Sequence, residues 1–120
     1  MESTAIVYIR VASGGQSTNE VIWQQYEAVC RYCEQQGYRI VDVVRNVGGG
    51  KDANRYLREA AGKAKKLKAD RIVAMGWSRF TRDVPYLLRM EKRLAKRNIR
   101  METSDASCGA MLFPQILKQR

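Results

Sequence analysis

The chain has 120 residues, 45% of them apolar, with 22 Lys/Arg against 12 Asp/Glu, a net charge of +10 and no histidine. That length suffices for one compact domain and is short for two. No apolar stretch approaches the ~20 residues of a membrane span and the opening residues lack a secretory pattern, so the expectation is a cytoplasmic chain with no membrane contact.

The first element is Ala5–Val11, a β-branched run too short for a helix and ended by Gly14-Gly15. Ile22, Tyr26, Val29, Cys30 and Cys33 then recur at helical spacing up to Gly37, which reads as a C-cap. Tyr38–Val44 is a second strand. Leu57, Ala60, Ala61, Ala64 and Leu67 form a second helical face, with Lys63, Lys65, Lys66 and Lys68 around its outer side. Arg71–Met75 is a third strand, and the loop through Trp77 to Asp83 leads to a helix with Val84, Leu87, Leu88 and Leu94 inward. Asp83, before Val84-Pro85, reads as its N-cap. Ile99–Glu102 is a weaker fourth strand, and the run from Ala110 to Leu117 begins a further helix in which the chain ends. Alternation at this spacing predicts an α/β fold: one three-layer domain over 1–120, with a mostly parallel four-stranded sheet, helices on both faces and no separate DNA-reading domain.

The charge is unevenly placed. Residues 45–100 hold 17 Lys/Arg against 5 Asp/Glu, whereas residues 1–44 hold 3 against 5. Such an excess favours a polyanion, because each neutralised phosphate releases condensed counterions; the plainer alternative is a solvated basic face. The lack of histidine excludes Ser-His-Asp and Cys-His mechanisms. Cys30, Cys33 and Cys108 cannot by themselves complete a four-ligand zinc site, so no metal is expected. The Cys30–Cys33 spacing falls inside a helical pattern, where it reads as core packing rather than redox chemistry.

Arg10 closes the first strand and Arg79 and Arg82 follow the third, at the sheet edge where open α/β folds bind ligands. Guanidinium groups there suit a phosphodiester. Pairing with Asp42, Asp70 or Asp83 would be the purely structural use of the same arginines. Ser13 is the nearest nucleophile candidate, with Ser78 and Thr81 as others. Lys51 lies in the glycine-rich loop Asn46–Asp52, which lacks the spacing of a P-loop and reads as a flexible loop over a phosphate. Of the aromatic residues, most sit at core positions; Trp77 is left open as a stacking platform.

The run Tyr8-x-Arg10-Val11 with Gln16, together with Arg79-Phe80-Thr81-Arg82-Asp83, resembles the catalytic domain of the serine recombinases, the resolvase and invertase family, across Ala5 to about Ser107. The resemblance implies a resolvase-like domain that cuts and rejoins duplex DNA through a phosphoserine link, without cofactor or metal, in a homo-oligomeric assembly. It implies phosphate handling by Arg10, Arg79 and Arg82, with Tyr8, Gln16 and Asp83 in support. The sequence departs from the family's pattern at four places. Ala12 stands where the nucleophilic serine belongs, one residue before Ser13. Gly48 stands for a serine, Asn54 for an arginine, with Arg55 next to it expected as a phosphate contact, and Ser78 for an aspartate. Two readings follow: a site rebuilt around Ser13, or a degenerate domain that binds DNA without cutting it. A non-catalytic regulatory module of a mobile element and a flavodoxin-like binder of a small phosphorylated ligand are the alternatives.

Overall fold

The computed structural model describes residues 3–12 and 18–105. Its strands are β1 (Ser3–Val11), β2 (Tyr38–Val47), β3 (Arg71–Ala74) and β4 (Arg100–Thr103), and its helices α1 (Thr18–Gln36), α2 (Ala53–Leu67), α3 (Trp77–Phe80) and α4 (Val84–Ala95). All strand pairs are parallel in the order β2-β1-β3-β4. The chain runs outward from β1 to β2, returns across it to β3 and continues to β4. That reversal, with right-handed crossovers, sets α1 on one face and α2, α3 and α4 on the other.

β1 is central and buried on both faces from Ala5 to Val11, which explains its continuous apolar composition. Ile6 and Tyr8 pack with Leu57, Ile72, Phe80, Leu87 and Leu94 on the larger side. Ala5, Val7 and Ile9 pack with Val29, Cys33 and Val73 beneath α1. Cys33 is fully buried, and that burial pushes its thiol up to about 11, as a packing residue requires. Gly37 ends α1 with φ of 78°, the left-handed conformation glycine adopts at little cost.

The elements expected from sequence are present, with shifted limits. β2 runs three residues past Val44 because Arg45, Asn46 and Val47 remain in register with Ile9, Arg10 and Val11. A bulge opposite Ala5 and Ile6 lets Ile40 pack toward α1 while Val41 and Val44 pack toward α2. Trp77–Phe80 is a helical turn rather than a loop, and Trp77 and Phe80 are both buried; the stacking role left open for Trp77 is replaced by core packing. Among the described residues, Trp23 is instead the exposed aromatic, at 60%. Leu67 is exposed, and Met90 takes the inward position expected of Leu88, since Leu87, Met90 and Leu94 lie along one face at helical spacing. Ser13, Gln16, Cys108 and the segment 110–117 lie outside the described residues.

One helix covers the α1 face, and a polar network completes it toward β4. Arg71 donates to Glu102 at 2.6 Å, lies 3.9 Å from the Tyr38 ring centroid, and the Tyr32 and Tyr38 hydroxyls donate to the same carboxylate at 2.8 and 3.0 Å. The Arg71 and Glu102 side chains are 11% and 16% exposed. Glu102→Ala strands a nearly buried cation and two hydroxyls, and is expected to destabilise the fold by about 3 kcal/mol in urea unfolding.

Candidate functional site

β3 ends at Ala74 and pairs with β1 only as far as Val7. Beyond that point β1 has no strand neighbour on that side, and side chains take over. Gln25 of α1, fully buried, accepts from the Arg10 amide at 3.4 Å and donates to the Arg10 carbonyl at 3.2 Å. Arg79 Nη1 donates to the same carbonyl at 3.4 Å. In return the Arg10 side chain reaches α3, with Nε donating to the Arg79 carbonyl at 3.1 Å and Nη2 to the Ser78 carbonyl at 2.8 Å. The two arginines thus hold each other's backbone, which fixes α3 over the end of β1.

Arg10 is 9% exposed, and no carboxylate among the described residues pairs with Arg10, Arg79 or Arg82. The carboxylates that would serve a structural role are used elsewhere: Asp42 pairs with Lys63 at 2.9 Å, Asp70 accepts from the Thr4 amide and hydroxyl, and Asp83 caps α4 through the Tyr86 amide. Burial lowers the Arg10 guanidinium from its ordinary value; Tyr8 opposes that shift, and Arg79 and Arg82 add to it. It nonetheless stays charged, as guanidinium does in proteins. Its bonds to two carbonyls leave further N–H donors for an incoming oxygen. Like charges gathered without a counter-ion make a ready anion site.

Tyr8 lies beneath this cluster, fully buried and stacked on Phe80 with centroids 5.4 Å apart. Its hydroxyl and the Asn46 amide nitrogen influence one another, yet neither makes a hydrogen bond of good geometry. Burial pushes the phenol from 10.0 up to about 12, so Tyr8 supports the site by packing and is no nucleophile at neutral pH.

The loop after α3 is tied to the start of α2 by Asn54. Its Oδ1 accepts from Thr81 Oγ1 at 2.6 Å, its Nδ2 donates to Asp83 Oδ2 at 3.0 Å, and its carbonyl accepts from the Tyr86 hydroxyl at 3.3 Å. Hydrogen bonds from the Tyr86 amide and then Asn54 hold the Asp83 carboxyl below its ordinary value. Thr81 is buried and its hydroxyl is spent on Asn54, which removes it as a nucleophile candidate. Ser78 is exposed, with its carbonyl bound by Arg10. Arg82 is exposed at the same edge.

Lys51 sits exposed in the 3-10 turn Gly50–Asp52. The structure does not bring Arg55 to the arginine cluster. Its guanidinium pairs with Asp52 at 3.4 Å and lies 5.0 Å from the Tyr56 ring centroid. Nor is Gly48 part of an open phosphate cradle, because its amide donates to the Val11 carbonyl at 2.9 Å. A Cβ at position 48 would lie 2.5 Å from the Tyr56 hydroxyl, so Tyr56 fills the space of the side chain missing there. Ala12 is exposed immediately beyond β1.

Sequence reasoning missed Gln25 and the bridging role of Asn54. A polar residue four positions before Val29 and eight before Cys33, on an otherwise apolar stripe, was the available signal for Gln25.

Comparison with known proteins identifies the family. The model described as the resolvase N-terminal domain matches residues 5–111, and the chain belongs to that family, whose function is site-specific DNA recombination. Among solved structures, the N-terminal catalytic domain of TP901-1 integrase is similar, with 21% identity, a TM-score of 0.76, and coverage of 98% of this chain and 93% of that one. The C-terminal catalytic domain of ISC1926 TnpA, an IS607-like serine recombinase, has 19% identity and a TM-score of 0.71, covering 84% of this chain and 67% of that one. A resolvase family site-specific recombinase from Streptococcus pneumoniae has 17% identity and a TM-score of 0.69, with coverage of 86% and 70%. At these identities the likeness is one of fold. No curated protein sequence matches the chain. No helix among the described residues is long and apolar enough to cross a membrane.

Two outcomes test this geometry. Gly48→Ser is expected to destabilise the domain by about 1–2 kcal/mol through overpacking against Tyr56, and a double-mutant cycle with Tyr56→Ala should show coupling of similar size. The second concerns alkaline pH. The folded Tyr8 phenol keeps its proton to about 12 while the unfolded one ionises near 10.0. Its contribution is therefore fully present below pH 10 and lost as pH rises toward 12. Tyr8→Phe should remove that part of the alkaline loss in unfolding curves measured from pH 8 to 12.

Proposed function

We propose that this chain grips the backbone of duplex DNA at the edge formed by β1 and α3, with Arg79 and Arg82 on the phosphate oxygens and Arg10 fixing both the turn and the charge behind them. The observation that carries this reading is the gathering of Arg10 with Arg79 and Arg82 without a carboxylate partner among the described residues. Ser13, next to exposed Ala12, supplies the nucleophile. Its oxygen gives up its proton to solvent and forms a bond to phosphorus as the bond to one sugar oxygen breaks; the leaving oxygen takes a proton from solvent, and the energy of the phosphodiester is kept in the serine ester. The arginines stabilise the negative charge that builds on the non-bridging oxygens, so the step needs no metal or cofactor. Gln16 and Lys51 contact flanking phosphates. Strand exchange requires several such sites, supplied by further copies of the chain, acting in the cytoplasm where the DNA lies.

A second reading, DNA binding without cleavage, is favoured by one observation: Ala12 stands at the position the family's pattern gives to its serine. The two readings separate in a covalent-capture assay. Incubated with its recombination site in duplex form, the chain should yield a protein–DNA adduct resistant to denaturant, and Ser13→Ala should abolish it while leaving DNA affinity within about threefold. Adduct formation unchanged in Ser13→Ala, but lost in Ser78→Ala, moves the nucleophile to α3. Binding with no adduct establishes the second reading. Arg79→Ala is expected to weaken binding by about tenfold, roughly the 1–2 kcal/mol of one charge-assisted contact.

A further inference from the structure

At the opposite end of the sheet, where β1, β3 and β4 begin, the C-termini of α2 and α4 converge. Two adjoining recesses lie there. One, of about 310 Å³, is lined by Lys65, Lys68, Asp70, Arg97 and Asn98 among others, and the second, of about 420 Å³, extends it past Asn98 to Arg100. Lys65, Lys68, Arg97 and Arg100 line these recesses and are all exposed, and none has a carboxylate partner among the described residues. The carboxylate in the lining, Asp70, is already occupied by the Thr4 amide at 2.7 Å and the Thr4 hydroxyl at 3.2 Å.

Basic residues near helix C-termini have a structural use, since each terminus carries roughly half a negative charge. Two helix ends therefore account for about one positive charge, against four gathered here. Solubility does not explain the placement either, because a soluble surface intersperses both signs. The same chain spends its acids on structural bonds (Asp42 to Lys63, Asp83 at the α4 cap) and leaves these cations free.

We propose that this end of the domain is a second phosphate-binding face, which holds the backbone of another DNA segment while the arginine pocket holds the first. A duplex fits better than an acidic protein segment, because the recesses present dispersed cations on long, flexible stems, which suits a repeating phosphate array rather than a side-chain-specific contact. This face is separate from the pocket, so either reading can fail without the other.

The test uses the full chain and a random-sequence duplex, with affinity measured by fluorescence anisotropy across a salt series. Lys65→Glu, Lys68→Glu and Arg97→Glu together should lower the magnitude of the log–log salt slope by about 2–3, since each phosphate contact contributes roughly 0.9. A control with Arg31→Glu, Arg45→Glu and Arg58→Glu, which lowers net charge equally from other surfaces, should change the slope by less than one. The corresponding alanine triple variant replaces the reversals if these unfold the chain. In a capture experiment, the chain bound to an immobilised duplex should retain a second, labelled duplex, and retention should be lost in the Lys65/Lys68/Arg97 variant. Equal slopes for the variant and control, or capture that survives the variant, overturn the proposal. So does a variant that loses binding to polyglutamate while its DNA slope is unchanged, which would assign the face to an acidic protein. A pocket variant, Arg79→Ala with Arg82→Ala, tests the other reading separately: if it leaves the slope unchanged, the pocket reading fails while the second face stands.

Discussion

A buried guanidinium held by carbonyls rather than by a carboxylate governs the top of this domain. Arg10 sits at 9% exposure and donates to the Ser78 and Arg79 carbonyls. A carboxylate there would have neutralised the charge and left a structural ion pair; carbonyl oxygens satisfy N–H donors without cancelling the charge. The bonds also decide where α3 lies, and α3 carries Arg79 back to the Arg10 carbonyl. The constraint begins lower down, in the short β3 that leaves the end of β1 without a strand partner on that side. Gln25 and Arg79 supply what a longer strand would have supplied, so the arginine cluster follows from the sheet's incomplete edge.

The partition of charge has the same logic. The carboxylates whose bonds are described do local work: Asp42 holds Lys63, Asp70 holds the start of β1, Asp83 caps α4 and Glu102 anchors the network of Arg71, Tyr32 and Tyr38. With these acids committed to the frame, cations without a carboxylate partner among the described residues stand at both ends of the sheet, Arg79 and Arg82 at one and Lys65, Lys68, Arg97 and Arg100 at the other. A net charge of +10 acts on a polyanion by steering as well as by contact.

The strands and helices were legible because each obeys a period of 2 or 3.6 and ends at residues with local reasons to stop it, such as Gly37 and Asp83. Arg10, Arg79 and Arg82 could be placed at one edge from strand order alone. What could not be read was the use of each arginine, since a linear pattern does not distinguish a guanidinium bound to carbonyls from one facing solvent. Arg55 illustrates the difficulty: one residue from Asn54, it turns to Asp52 and the Tyr56 ring instead of the site. The helical turn at Trp77–Phe80 was hidden because four residues carry no period, and its conformation is imposed by tertiary bonds from Arg10. Gln25 was missed because a polar residue on an apolar stripe signals an unmet backbone group only once that group is known.

The departures at positions 48 and 54 belong together. Gly48 leaves a space that Tyr56 occupies, and Asn54, two residues earlier on α2, bridges Thr81 and Asp83 where the family's pattern carries an arginine. An arginine at 54 would add a fourth positive charge to the pocket, whereas the neutral amide adds only geometry: it closes the loop between α3 and α4 and leaves the Asp83 carboxylate as the cap of α4. The start of α2 has thus been rebuilt as a packing surface, while the Arg10–Arg79 pair at β1 and α3 is intact. The positive charge of the pocket is then carried by fewer groups, two of which hold each other's backbone, so the geometry of that charge is set by the end of β1 and by α3 rather than by α2.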